Sequence, residues 1–173
     1  MDINKFINTI IEGDTIKNLK RLPDESIDFI FADPPYYMQT EGELLRVDGT
    51  KFKGVEDKWD KFKDFKDYDD FTKKWLKECK RVLKKDATIA VIGSFQNIYR
   101  VGNIMQDLGY WILNDIIWKK TNPVPNFSGK RFCNSHETIL WCSKNKKSKI
   151  TFNYKTMKSV SYTHLRAHET DSY

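Results

Sequence analysis

Disulfide support is missing from this sequence. Its three cysteines, Cys79, Cys133 and Cys142, are odd in number and show no CxxC spacing, which points to a reducing compartment and a cytoplasmic setting. No stretch of 18 apolar residues and no secretory leader are present, so neither membrane spanning nor export is expected. GxGxxG, Walker, HExxH and GxSxG sequences are lacking too, which removes the usual signatures of dinucleotide binding, phosphate cradling, zinc proteolysis and serine hydrolysis. His136-Glu137 has no second ligand at zinc spacing, so the pair reads as structural and no metal is expected. A nucleotide hydrolase using Asp33 as a metal carboxylate would need the missing phosphate loop. Internal repeats are absent as well.

What is present is the composition of a globular domain: 173 residues, 39% hydrophobic and 31% charged, enough for one core. The net charge of +6 is unevenly spread. Met1 to Trp118 carries 19 basic and 21 acidic residues, whereas Lys119 to Lys158 carries ten basic residues against one acid, Glu137. A near-neutral part followed by a basic one fits a polyanion-binding face, although a solvated lysine-rich surface gives the same pattern.

The chain is organised around Ile27-Asp28-Phe29-Ile30-Phe31-Ala32-Asp33-Pro34-Pro35-Tyr36. Its apolar run predicts a buried strand over 27–32. Two prolines, with fixed φ and no N–H, stop the ladder and begin a stiff loop at the strand's carboxyl end, where open α/β sheets bind ligands. Before it, Thr9 to Asp14 reads as a short strand, and Asp14 as the cap of a helix over Thr15 to Arg21, giving a parallel strand–helix–strand crossover. Met38 to Lys66 reads as a long loop containing Trp59. Helices are predicted over Asp67 to Leu83 and Gln96 to Leu108. Further strands are predicted over Ala87 to Gly93, Tyr110 to Lys119 and Glu137 to Ser143, with a short β segment at Ile150 to Tyr154. The order predicts an α/β fold whose sheet is mostly parallel with an antiparallel hairpin at one edge.

The polar end of the central strand suits one chemistry well. With a flat amino-bearing ring stacked on Tyr36, the Asp33 carboxylate accepts one amino N–H and the Pro34 carbonyl the other. Two acceptors hold the nitrogen and free its lone pair for an electrophilic carbon. Stacking of a base on such a ring contributes roughly 1–3 kcal/mol, and a duplex base must first be flipped out, at a cost of a few kcal/mol.

Asp33-Pro34-Pro35-Tyr36 after an apolar strand resembles the catalytic motif of amino-group DNA methyltransferases. The blocks Phe31–Tyr36, Trp75–Arg81, Ile92–Arg100 and Thr121–Phe127 resemble, more narrowly, the β-class adenine-N6 enzymes that modify GANTC sites, both restriction-system and solitary cell-cycle-regulated members. The likeness covers roughly residues 3 to 158. It implies a partial Rossmann-like methyltransferase sheet, S-adenosyl-L-methionine as cofactor and double-stranded DNA as partner, with homodimerisation of a full-length enzyme left open. By the same likeness Asp33, Pro34, Pro35 and Tyr36 are catalytic, and Asp14 and Asp33 meet the cofactor. Trp59, Lys119, Lys120, Asn122, Pro125, Phe127, Lys130 and Arg131 face the duplex, with Phe127 or Phe132 as a second stacking ring. Asp at position 33 favours adenine N6; Ser there would favour cytosine N4, which stays the alternative together with a non-catalytic DNA-binding role. Cytosine-C5 chemistry would need a Pro-Cys nucleophile, and none is present.

In this family the catalytic motif precedes a Phe-x-Gly-x-Gly loop that holds the cofactor's methionine end. Nothing after Lys158 resembles that loop, so the resemblance implies an N-terminal fragment with an incomplete cofactor pocket and little activity alone. Ser159 to Tyr173 contains no lysine and two of the three histidines. It resembles translated sequencing-adapter read-through, which implies a non-native tail after a methyltransferase part over 1–158.

Overall fold

The computed structural model describes residues 3–37, 44–45, 51–52, 61–123 and 130–158. Three α-helices and six strands follow a 3-10 turn, Ile3–Phe6: α1 Thr15–Leu19, β1 Ile27–Ala32, β2 Leu44–Leu45, β3 Lys51–Phe52, α2 Phe65–Val82, β4 Leu83–Gly93, α3 Ile98–Asp107, β5 Trp111–Lys119 and β6 His136–Ser143. Local chemistry sets most boundaries. Asp14 caps α1 by accepting from Lys17 N at 2.8 Å, and Asp64 caps α2 by accepting from Asp67 N at 2.8 Å. Gly109, at φ +75, takes the left-handed turn that ends α3. Arg81, in the last turn of α2, donates to the carbonyls of Leu19 and Leu22 and to Asp24. It thereby ties α1 and the turn before β1 to the second helix.

The main sheet runs β1-β4-β6-β5. Only β1 and β4 pair in parallel; β6 pairs antiparallel with both β4 and β5. The expectation of a mostly parallel sheet is therefore corrected to a mixed one. The β5–β6 hairpin is antiparallel and lies at an edge as expected, but β6 folds back between β4 and β5 and takes both of their ladders. The first predicted strand, Thr9 to Asp14, is not a strand: among the described residues no ladder partner reaches it, and Ile10 is fully exposed. The β segment expected at 150–154 is also absent, and residues 154–158 are helical instead. Asn114-Asp115 does not break β5, which runs through with one register shift between Ile112 and Asn114.

The core forms where α2 and α3 cover one face of the sheet. Tyr68, Trp75, Leu76 and Cys79 of α2 and Val101, Ile104 and Met105 of α3 meet Ile89 and Val91 of β4 and Cys142 of β6. Their three- and four-residue steps along each helix form a single apolar stripe. At Gly102 the helix comes so close that a Cβ would lie 2.9 Å from Leu140 Cδ1. Part of the expected 38–66 loop forms the small β2–β3 ladder. Trp59, Pro125, Phe127 and the 159–173 segment lie outside the described residues.

Candidate active site

Strand registers bring the polar residues to one rim. Ala32, the last residue of β1, pairs with Val91, and Gly93 at the end of β4 pairs with Thr138. Lys119 at the end of β5 pairs with His136. The carboxyl ends of β1, β4 and β5 and the amino end of β6 therefore share one side of the sheet. That side carries Asp33, Ser94, Lys119-Lys120 and His136-Glu137, the location at which sheets of this kind hold ligands. Three concavities of the described surface lie elsewhere, at Trp111 with Lys146, at Asp24 with Lys144 and at Asp28 with Thr151. They sit toward the opposite strand ends and carry no convergent chemistry.

Asp33 is exposed, and Pro34, Pro35 and Tyr36 are half-buried. Among the described residues none donates to the Pro34 carbonyl, whereas the Pro35 carbonyl accepts from the Tyr68 hydroxyl at 3.0 Å. Tyr37 adopts φ +46, a left-handed conformation rare for a bulky residue. The reversal sends its ring into an aromatic nest, 5.4 Å from Phe62, 5.2 Å from Phe65 and 5.7 Å from Tyr68 between centroids. Aromatic contacts of this geometry each contribute about 0.5–1.5 kcal/mol, enough to offset a strain of about 1–3 kcal/mol. The Asp-Pro-Pro-Tyr loop is thus fastened just behind its working end.

The Tyr36 phenol is held well above its ordinary pKa, first by burial, then by the nearby Asp33 carboxylate, and further by Glu137 and Tyr68. It stays protonated across the neutral range. Glu137, set aside in the sequence as structural, is therefore a neighbour of this site. One of its oxygens pairs with Lys120 Nζ, and the other, Oε2, is buried without a partner among the described residues. A lone His-Glu pair gave no sequence signal for this, because the β5–β6 pairing that delivers it is long-range.

The other candidates fall in place unevenly. Asp14 uses Oδ1 as the α1 cap and remains exposed. Lys119, Asn122, Lys130 and Arg131 are exposed, while Lys120 is half-buried in its ion pair with Glu137. Arg131 lies over the Phe95 ring at 5.9 Å, and Phe132 is 98% exposed. Among the described residues no cluster of three His, Cys, Asp or Glu side chains could hold a metal ion, and no helix is long and apolar enough to cross a membrane. The buried Tyr68, Ser94 and Asn97 were not singled out by the sequence: Tyr68 reads as one more residue of an apolar helical face.

Against known proteins, a family model described as DNA methylase of the N6/N4 type matches residues 27–171. The chain is 68% identical over 160 residues to the type II methyltransferase M.HinfI of Haemophilus influenzae, covering 92% of this chain and 45% of that protein. It is 42% identical over 159 residues to the type II methyltransferase M2.DpnII of Streptococcus pneumoniae, covering 91% of this chain and 58% of the relative. The chain thus spans about half the length of the curated relatives it matches. Among solved structures, that of M1.HpyAVI in complex with SAM superposes with a TM-score of 0.53 at 22% identity, covering 84% of this chain and 58% of that one, a likeness of fold.

Proposed function

The chain belongs to the N6/N4 DNA methylase family, and from that premise we propose that the protein transfers a methyl group from S-adenosyl-L-methionine to adenine N6 in double-stranded DNA, at GANTC sites. The observation that carries this reading is the placement of Asp33 and a Pro34 carbonyl, to which none of the described residues donates, at the strand rim beside a half-buried tyrosine. Exposed Lys119, Lys130 and Arg131 on the same basic stretch suit duplex phosphates.

In this reading the target adenine leaves the stack and lies on Tyr36. Its amino group donates to the Asp33 carboxylate and the Pro34 carbonyl, which localise the nitrogen lone pair. The cofactor supplies an electrophilic methyl group on a sulfonium. On transfer Asp33 would take up, along its hydrogen bond to the amino group, the proton that the nitrogen loses. A cationic cofactor with ribose hydroxyls fits the exposed carboxylates: Asp33 is one, and Asp14, whose cap uses Oδ1 alone, offers a second.

Asp33→Ala in the whole protein tests this. Methyl transfer to a GANTC duplex should fall at least about a thousandfold, as expected when an oriented charge at the reacting atom is removed. Essentially unchanged transfer would sink the catalytic assignment. The same lone-pair chemistry serves cytosine N4, and the family embraces both amino groups. Nucleoside digestion of the methylated product should yield N6-methyladenine; N4-methylcytosine would replace the adenine reading.

A further inference from the structure

Proline fixes φ but leaves ψ, and with it the direction of each carbonyl, to be set by something else. In Asp33-Pro34-Pro35-Tyr36 that something is visible. The Tyr68 hydroxyl donates to the Pro35 carbonyl at 3.0 Å and accepts from Asn97 Nδ2 at 3.0 Å. Asn97 Oδ1 in turn accepts from the Ser94 hydroxyl at 3.2 Å. The direction of donation is fixed from Ser94 through Asn97 and Tyr68 to Pro35. Ser94, Asn97 and Tyr68 are 4%, 3% and 1% exposed, a depth at which a polar group without a partner costs about 1–3 kcal/mol.

Three further features show that the chain is built rather than incidental. Asn97 stands at the N-cap of α3, yet its side chain makes no capping bond. The amide turns inward to Tyr68 and forgoes a contribution of about 1 kcal/mol. Gly93 makes that approach possible: a Cβ there would lie 2.9 Å from Asn97 Oδ1 and 3.0 Å from Ile98 Cδ1. On the apolar face of α2 a phenylalanine would fill the Tyr68 ring's place equally well, and the hydroxyl is what adds the link.

We propose that Ser94, Asn97 and Tyr68 are positioning residues for methyl transfer: their hydrogen-bond chain fixes the peptide plane between Pro35 and Tyr36, and through it the stacking ring and the Pro34 carbonyl. The proposal rests on the catalytic reading above. Effects of this kind are steep, since a misplacement of about 1 Å costs on the order of 100-fold in rate.

The test is Tyr68→Phe in the whole protein, with Tyr36 followed by fluorine NMR after 3-fluorotyrosine labelling and assigned with Tyr36→Phe. Expected are a kcat about tenfold lower, a KM for duplex DNA within about twofold, and a Tyr36 resonance that broadens or splits. Ser94→Ala, one bond further out, should lower kcat about threefold and still leave a folded protein. An unchanged Tyr36 resonance overturns the proposal, as does a loss of thermal stability with kcat intact. A loss carried by KM instead of kcat also overturns it, because that would mark a binding role. If the unsubstituted protein transfers no methyl group, the function proposed above fails while the Tyr36 resonance still decides whether this chain of bonds sets the loop.

Discussion

The two faces of the four-stranded sheet are made from the same kinds of residue and end in opposite states. Along β1 and β4, Ile30 and Ala32 join the cluster around Ile89 and Val91, which are fully buried beneath α2 and α3. Their alternate neighbours Phe29 and Phe31 are 53% and 55% exposed. Phe31 stands in a row with Ala90 and Trp141 across the strands. Among the described residues, the recorded ring contact on that row is Phe152 against Trp141, at 5.6 Å. Strand alternation thus places apolar side chains on both faces; on the edge strand β1 the helices that arrive decide burial, whereas Ala90 and Ile92 of the inner strand β4 are buried on the other face as well. Among the described residues α2 and α3, joined by Ile16 and Leu19 of α1, cover the first face, so cohesion is concentrated there.

The sharpest way to break this comparison is a pair of truncations. Ile89→Ala on the helix-covered face should cost about 3 kcal/mol in urea unfolding, the usual loss for a buried aliphatic side chain cut to Ala. Phe31→Ser on the open face should cost less than about 0.5 kcal/mol, as for other surface changes, and should lower self-association by removing an exposed ring. Comparable losses from both substitutions would show that the open face is covered in solution.

The same contrast explains what the sequence could reveal. Helices α2 and α3 and strand β4 were legible because each carries its own evidence, a periodic stripe or an unbroken apolar run. Asp33 to Tyr36 was legible because Pro-Pro after a strand admits few structures. Thr9 to Asp14 misled, since alternation promises an extended chain but supplies no ladder partner. The place of β6 between β4 and β5 was invisible, because pairing order is a property of the assembled sheet. Glu137 and the Tyr68–Asn97–Ser94 chain stayed hidden for that reason: their meaning comes from groups far away in the sequence. The basic character of Lys119 to Lys158 was legible in bulk, but not that Lys120 would be engaged by Glu137.

A second, smaller effect probes how tightly the covered face is closed. Gly102→Ala adds one methyl where a Cβ would meet Leu140 Cδ1 at 2.9 Å. The leucine end can move, so the overpacking should cost about 1 kcal/mol, near the low end for such insertions and partly offset by the better helix propensity of Ala. Leu140→Ala in the same background should remove that penalty in a double-mutant cycle. An additive cycle would mean that α3 does not press on β6 as described.

The smallest effect is electrostatic and separates the covered face from the surface by pH. Cys79 and Cys142 are both fully within the core, and burial pushes each thiol up to about 12. Their unfolded counterparts ionise near about 8.5–9. A group raised in the folded state contributes stability that is complete below its unfolded pKa and is lost as pH climbs toward the folded value. Stability should therefore be nearly flat up to about pH 8 and decline above it, by about 0.4–0.8 kcal/mol per thiol at pH 9. Tyr110, whose phenol is also raised by burial, joins only above about pH 10, where an unfolded tyrosine ionises. Cys79→Ala with Cys142→Ala should flatten the slope between pH 8 and pH 9.5, although the double variant is less stable throughout because two core side chains are shortened. Cys133, exposed on the basic stretch, should accept a thiol reagent in the native protein while the two core cysteines react only at the rate of unfolding. Equal labelling of all three would show that the core under α2 and α3 opens as readily as the protein's surface.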